Sequence, residues 1–393
     1  MLEFAHLTGL EPVSSHPKRY LWTDAYAVCN FLELYRQMKD RAYLGLALRL
    51  IDQVHHTLGR HREDDPRHGW ISGLGEEEGK QYPTISGLRI GKMLNERKSN
   101  EPQDERLEWD QDGQYYHYLT KWMHALHRAT LVTGDPIYLR WAMEMAKAAH
   151  AGFTHKPSFG GRKRMYWKMS IDLSYPLVTS MGQHDPLDGF VTYSELQAAA
   201  GYFKDSSLPD LHWEIKDMAD ICQGMGTNLA TSDPLGTGGL LSDSLRIAQL
   251  IVHEGYKYSG LLSAVVDSAQ IGVEAFVGSR TNDYPAEYRL AFREFGISIG
   301  LSAVADLSKL VGENPGLFSQ EGKQVVNQEM GQDGNLPRQV KDLMSYMPLR
   351  DMIEEFWMDS KNRGASTWTE HREINMTMLA TSLAPKGFLI TYE

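Results

Sequence analysis

Apolar side chains recur along the chain at helical spacing. Tyr43, Ala47, Leu50, Val54 and Leu58 are separated by three or four residues, which places them on one face of a helix. The same spacing returns in the segments that begin at positions 138, 211 and 262. Strand-like alternation is sparse outside residues 388–392. The pattern predicts an all-α chain.

Two of these helices align at an offset of 95 residues, a register in which Asp40 falls on Asp135 and His55 on His150. Both aspartates stand just before their helices, where a carboxylate accepts free backbone N–H groups. Each such outer helix follows a more apolar or aromatic inner helix after a short turn, so the repeating unit is a helical hairpin. The predicted inner helices cover about 20–38, 113–132, 188–203 and 236–256, with further helices at about 286–312 and 369–383.

Two connections between hairpins are long, at about 60–112 and 152–187. Loops of that length are uncommon in compact domains unless they build a site or a lid. Both lead into the start of an inner helix, so in a closed ring of hairpins they share one rim. We therefore predict a single domain over 1–393, an (α/α)6 barrel or six-hairpin toroid with long rim loops. The segment 313–358, interrupted by glycine and proline, gives no clear helix assignment.

Composition narrows the classes of function. The chain has 40 Lys and Arg against 51 Asp and Glu, a net charge of −11 that disfavours nucleic acid as a partner. No apolar run approaches the ~18 residues of a membrane span, and the N-terminus does not resemble a signal peptide. Cys29 and Cys222 are too few for a disulfide framework or a thiolate zinc site. We expect a cytoplasmic protein without a metal or other cofactor, and the oligomeric state stays open.

Acids, histidines and tryptophans gather directly before the inner helices. Residues 108–113 read Glu-Trp-Asp-Gln-Asp-Gly, and residues 183–189 read Gln-His-Asp-Pro-Leu-Asp-Gly. In a closed barrel such helix starts line one cavity. Aromatic faces pack against the C–H face of a pyranose ring, while carboxylates and imidazoles hydrogen-bond to its hydroxyls. The pattern predicts a site for a small carbohydrate or oligosaccharide.

Hydrolysis of a glycosidic bond uses two carboxyl groups, roughly 5–5.5 Å apart in retaining enzymes and roughly 6.5–9.5 Å apart in inverting ones. The predicted catalytic residues are Asp110 or Asp112 on one hairpin and Asp185 or Asp188 on another. Asp112 and Asp188 have an alternative role as helix N-caps. The residues predicted to bind the sugar are Trp22, Trp109, Tyr116, Trp167, Asp172, His184, Trp368 and His371.

Two features together resemble a known superfamily. The outer helix that starts after Thr133-Gly134-Asp135-Pro136, and the inner-helix entrances rich in Trp and Asp, look like those of the six-hairpin (α/α)-barrel glycosidases. The resemblance covers nearly the whole chain. It implies a carbohydrate-active enzyme, with glycoside hydrolysis as the leading reaction. Sugar 2-epimerases share the architecture, so the resemblance is more specific for the fold than for the reaction.

Other functions of the same fold stay open. A sugar epimerase or isomerase would use His184 or His371 for proton transfer next to a carbonyl. A non-catalytic carbohydrate-binding protein would keep the barrel without the chemistry. A zinc-dependent α/α-barrel enzyme is disfavoured, because neither cysteine has a ligand neighbour at short spacing.

Overall fold

The computed structural model describes residues 1–157, 160–203, 205–225, 229–318 and 336–392. Helices dominate these residues, and the strands among them are two or three residues long. The all-α class predicted from the sequence is therefore confirmed. The chain divides into two compact units, Met1–Gly224 and Met225–Glu393.

Helical hairpins build the first unit. In each hairpin a short turn joins an inner helix to an outer one, and the inner helices lie side by side. The helices of this part are α1 (Leu2–Leu7), α2 (Leu21–Met38), α3 (Arg41–Leu58), α4 (Glu76–Gln81), α5 (Tyr116–Thr133), α6 (Pro136–Phe153), α7 (Asp185–Phe203) and α8 (His212–Met225), with a 3-10 turn at Leu107–Trp109.

The predicted caps begin the outer helices α3 and α6. The Asp40 carboxylate accepts the N–H of Ala42, and the Asp135 carboxylate accepts the N–H of Ile137, both at 2.9 Å. These bonds satisfy amides that have no partner within the helix. The inner helix α5 packs on α2, α6 and α7, which places the starts of α2, α5 and α7 within one cluster. The predicted hairpin organisation is confirmed in this unit.

Short antiparallel strands lie in and beside the two connections between hairpins. Both connections are long, as the sequence predicts. Arg67 ties the loops together, because its guanidinium contacts carboxylates of Asp65 at 2.7 Å, Glu96 at 2.6 Å and Asp172 at 3.4 Å. The strands are β1 (Gln114–Tyr115), β2 (Thr154–His155), β3 (Arg164–Met165), β4 (Lys168–Met169) and β5 (Pro176–Val178), paired in the orders β1-β4-β5 and β2-β3.

In the second unit, α9 and α11 form the main helix pair. A Cβ at Gly238 would lie 1.9 Å from the carbonyl oxygen of Gly296, so glycine is what lets these backbones approach. The helices are α9 (Pro234–Glu254), α10 (Ser259–Ser279), α11 (Ala291–Glu313), α12 (Pro315–Phe318), α13 (Leu336–Met344), α14 (Met347–Met358), α15 (Ser366–Thr369), α16 (Arg372–Leu383) and α17 (Lys386–Leu389), with 3-10 turns at Thr281–Asp283, Ala286–Tyr288 and Asn362–Gly364.

Two segments of the second unit are long and apolar enough to cross a membrane by length and composition. They are Ser259–Asp283 and Ala291–Glu313, with 44% and 67% of their most apolar windows buried inside the protein. Core helices with mostly buried apolar faces meet the same criterion. The sequence analysis expected no apolar run of this length, so these two helices depart from that expectation.

The structure defines the C-terminal segment and corrects several helix boundaries. Residues 388–392 form no strand: α17 covers Lys386–Leu389, and Gln249 binds the backbone of Leu389 and Thr391 at 2.9 and 3.0 Å. Alternation over so few residues does not specify a strand without a neighbouring edge to pair with. The helices α12, α13 and α14 occupy the described part of 313–358, while residues 319–335, which include Gly331 and Gly334, lie outside the described residues.

Candidate active site

The site is built where α2, α5 and α7 of the first unit begin. The rings of Trp22 in α2 and His117 in α5 lie 6.0 Å apart. His117 Nδ1 in turn lies 3.7 Å from the carboxylate of Asp185, the first residue of α7. Three segments that are far apart in sequence thus bring a tryptophan, an imidazole and a carboxyl group together. Of the residues predicted for the site, the structure places Trp22 and Asp185 in this cluster.

Asp185 is the most unusual group of the cluster. Its side chain is buried, and Oδ2 has no hydrogen-bond partner in the part of the chain that the structure describes. Burial, reinforced by the neighbouring Asp188 carboxylate and opposed by Lys121, raises the pKa of Asp185 to about 8. A Cβ at Gly182 would lie 2.3 Å from Oδ2, so the carboxyl packs against a position that only glycine fills without a shift. Asp185 is therefore protonated near neutral pH.

Asp188 lies one turn further along α7 in a different environment. Its Oδ2 accepts the Thr120 hydroxyl at 2.5 Å and the Lys121 ammonium at 2.7 Å. A charged donor at this distance favours the ionised carboxylate. The prediction that Asp188 is an N-cap is wrong, because α7 begins three residues earlier, at Asp185. Two aspartates on one helix face thus differ in the polar partners that α5 offers them.

His117 is a site residue that the sequence analysis missed. Burial, with the nearby Lys121, lowers the pKa of His117 to about 3, so its imidazole is neutral over the ordinary pH range. The available signal was the run Tyr-Tyr-His-Tyr at 115–118, directly after a segment already singled out. That run is also typical of the buried start of an aromatic helix, so it does not by itself indicate a site.

Aromatic rings surround the His117 imidazole. Tyr115, Tyr118 and Trp167 lie 5.3, 4.9 and 6.4 Å from it, measured between ring centroids. Buried Trp22 presents an indole N–H with no hydrogen-bond partner among the described residues. Aromatic faces and an unused donor beside a carboxyl group are the groups that bind a sugar ring and its hydroxyls.

The loop before α5 holds the other two predicted acids. Asp112 is fully buried, and its carboxylate accepts the Arg89 guanidinium at 2.9 Å and the N–H of Gly91 at 3.0 Å. It does not cap α5, as predicted for one of its roles, because that helix begins only at Tyr116. Asp110 is exposed, and its backbone carbonyl accepts the Leu94 N–H at 3.1 Å. Only the Asp110 carboxylate therefore faces solvent.

Three further predicted residues of this unit have defined positions. Tyr116 is buried and donates to the Tyr193 hydroxyl at 2.8 Å, inside the packing of α5 on α7. Asp172 accepts the hydroxyl of Ser170 at 2.8 Å and contacts the Arg67 guanidinium, which joins the two long loops. His184 is half-buried in the turn before α7, and its carbonyl accepts the Asp188 N–H at 3.0 Å.

Trp368 and His371 belong to the second unit. The Trp368 side chain is buried, with its ring 5.7 Å from Trp357 in a stacked arrangement and 6.3 Å from Phe295. His371 is exposed beside Phe292, with 5.7 Å between the ring centroids. Trp368 thus has the surroundings of a core residue, and His371 those of a surface residue.

The residues that the structure describes contain no group of three or more His, Cys, Asp or Glu side chains arranged to hold a metal ion.

Solved structures of carbohydrate enzymes are similar to this chain. A GH76 α-mannanase of Bacteroides thetaiotaomicron matches with a TM-score of 0.42 and 11% identity over 86% of each chain. Cellobiose 2-epimerase of Spirochaeta thermophila matches with a TM-score of 0.42 and 12% identity over 85% of this chain and 87% of that one. Cellobiose 2-epimerase of Bacillus thermoamylovorans matches with a TM-score of 0.40 and 9% identity over 84% and 88%.

No protein-family model matches the sequence, and no curated protein matches it significantly. Because the structural similarities are distant, only the chain's own residues bear on its reaction.

Proposed function

We propose that the first unit carries the active site of a carbohydrate-active enzyme and that Asp185 is its general acid. The observation that carries the proposal is a buried carboxyl group with an unpartnered oxygen and a pKa raised to about 8, set among aromatic rings. A carboxyl group that stays protonated at neutral pH can give its proton to a glycosidic oxygen. Glycoside hydrolysis is the reaction that this arrangement supports best.

The second carboxylate of the proposed hydrolase is Asp110. Its side chain is exposed, so it can hold a water molecule, whereas Asp112 is enclosed by Arg89 and backbone amides. The negative charge of nearby Asp188 favours the protonated form of Asp185 and so helps to raise its pKa. Replacing Asp110 by Ala should abolish hydrolysis, and added azide should restore turnover because it substitutes for the missing nucleophile or base.

The direct test is a panel of chromogenic glycosides and oligosaccharides, assayed with wild type, Asp185→Asn and Asp220→Asn. Asp220 is an exposed aspartate of α8 and serves as the matched control. We expect hydrolysis by wild type and the control, and its loss in Asp185→Asn. Wild-type activity should also fall as the pH rises above about 8, because the acid then loses its proton. Full activity of Asp185→Asn would exclude the assignment.

A sugar epimerase is the second candidate, and His117 favours it. Its neutral imidazole lies 3.7 Å from the Asp185 carboxyl group and has one ring nitrogen that can accept a proton from the carbon next to a sugar carbonyl, although a pKa of about 3 makes it only a weak base. The test is deuterium uptake from heavy water into a free disaccharide without bond cleavage, followed by NMR. His117→Gln should stop the exchange. Uptake with wild type but no hydrolysis of any glycoside would replace the first candidate with this one.

The proposed partner is a small carbohydrate or oligosaccharide, and the proposed location is the cytoplasm. Calorimetric binding of a sugar with neither hydrolysis nor exchange would instead identify a carbohydrate-binding protein without catalysis.

A further inference from the structure

Trp109 is an exposed tryptophan connected to the candidate site by a row of rings. Its centroid lies 6.0 Å from that of Trp167, and Trp167 lies 6.4 Å from His117. Exposure falls along the row: Trp109 is 56% exposed, the His117 side chain 27%, and Asp185 only 4%. The row therefore leads from solvent to the buried carboxyl group.

Buried polar contacts fix the backbone on either side of Trp109. The fully buried Lys168 ammonium donates to the carbonyl oxygens of Glu108 at 2.7 Å and Gln111 at 2.9 Å, on either side of Trp109. Arg97 binds the Glu108 carboxylate at 2.5 Å. A large apolar side chain left in water on a segment fixed in this way is pre-organised for a contact rather than loosely placed.

A sugar ring is the occupant that the surroundings of Trp109 favour. The indole is continuous with Trp167 and, through it, with the aromatic cluster around His117. The apolar C–H face of a pyranose ring packs well against an exposed indole face.

We infer that Trp109 is a stacking platform for a distal sugar ring, so that the substrate is an oligosaccharide with at least one ring beyond those held next to Asp185. This inference rests on the proposed function of the site in carbohydrate binding. Binding energy from such a remote ring helps to hold the reacting ring in place, so shorter substrates lose turnover as well as affinity.

The test measures binding of gluco- and manno-oligosaccharides of one to six residues by calorimetry, with wild type, Trp109→Ala, Trp109→Phe and Trp213→Ala. Trp213 is a matched control, since it is 58% exposed and lies in α8 against His150. We expect wild-type affinity to rise with chain length. Trp109→Ala should remove that rise, with a loss of about 5- to 20-fold for the long ligands and none for the shortest. Trp109→Phe should restore part of it.

Several results would overturn the inference. Affinity that does not depend on chain length, or an equal loss for short and long ligands in Trp109→Ala, would show that no distal ring is bound there. Absence of binding for every saccharide would do the same. Unchanged sugar binding together with a Trp109-dependent self-association in ultracentrifugation would assign the exposed ring to a protein contact.

The proposed function fails separately from this inference. Suppose that the rise of affinity with chain length is lost in Trp109→Ala while Asp185→Asn leaves every turnover rate unchanged. The role of Trp109 in binding a distal ring would then be supported, and the catalytic role of Asp185 would be excluded.

Discussion

Each unit places a tryptophan, a histidine and an acid near the start of a helix, yet their polar atoms find different partners. In the second unit the buried Glu294 carboxylate accepts the Arg289 guanidinium through two bonds, at 2.9 and 2.6 Å. It also accepts the indole N–H of Trp357 at 2.8 Å, and Trp357 stacks on Trp368. In the first unit, the buried Asp185 has an oxygen without a partner among the described residues.

The difference shows which buried acids near an aromatic cluster indicate a functional site and which belong to the core. A buried carboxylate surrounded by a bidentate arginine and an indole N–H is satisfied, and such a network stabilises one packing arrangement. A buried carboxyl group without partners is costly unless it stays protonated, and proteins retain such groups chiefly where chemistry needs them. Composition near a helix start is therefore a weaker guide to a site than the partners of each polar atom.

The largest effect is expected on turnover when Asp185 becomes Asn. Loss of a general acid lowers the rate by about 10²- to 10⁴-fold. Glu294→Gln in the second unit is the comparison variant, and we expect less than a tenfold change when both are assayed well below their unfolding temperatures. Initial rates on the best substrate measure the contrast. Equal losses of rate in the two variants would show that Asp185 has no catalytic role that Glu294 lacks.

Trp368→Ala should cause the largest loss of stability. Removal of a buried indole from a core costs about 3–5 kcal/mol through lost burial and the cavity that remains. Urea unfolding followed by circular dichroism gives the change, with Trp109→Ala in the first unit as a control that should stay within about 0.5 kcal/mol because its ring is mostly exposed. A small loss of stability in Trp368→Ala would contradict a core role for this residue and favour its predicted role in sugar binding.

The pH dependence of stability tests the state of Asp185. Between its unfolded pKa near 4 and its folded pKa of about 8, the unfolded chain binds fewer protons at this group, so wild-type stability falls as the pH rises. Asp185→Asn lacks this slope. It should therefore be more stable than wild type by on the order of 2–4 kcal/mol at pH 7.5, with the difference disappearing toward pH 4.

Urea unfolding of Asp185→Asn and wild type at both pH values measures this difference. Asp220→Asn should show no comparable gain, since its side chain is exposed. A variant less stable than wild type at pH 7.5 would mean that the carboxyl group of Asp185 has partners that stabilise its charge.

The smallest effect is expected for His371→Ala, because the side chain is exposed beside Phe292. The free energy of unfolding should change by at most about 0.5 kcal/mol. Calorimetry with the same oligosaccharides tests its predicted role in sugar binding separately, since a stable variant with weakened binding would support that role and unchanged binding would remove it.

Periodicity and local chemistry were enough to predict the helical hairpins. The spacing of apolar residues in α3 and the caps Asp40 and Asp135 depend on neighbours within a few positions, which the sequence displays directly. The strand-like alternation at 388–392 forms no strand, because pairing needs a distant edge that no local pattern reveals. The starts of α5 and α7 were displaced by three residues for a related reason: loop contacts, rather than the nearest aspartate, decide where each helix begins.

For the candidate site, the sequence by itself determined the helix entrances rich in acid and aromatic residues, Asp185 and Trp22 among them. Tertiary structure alone decided which of these acids is unpaired, because partners such as Arg89 for Asp112 and Lys121 for Asp188 come from distant positions. It also brought His117 against Asp185. The physical reason is that a pKa depends on burial and on charges within a few ångströms in space, and separation along the chain does not encode either.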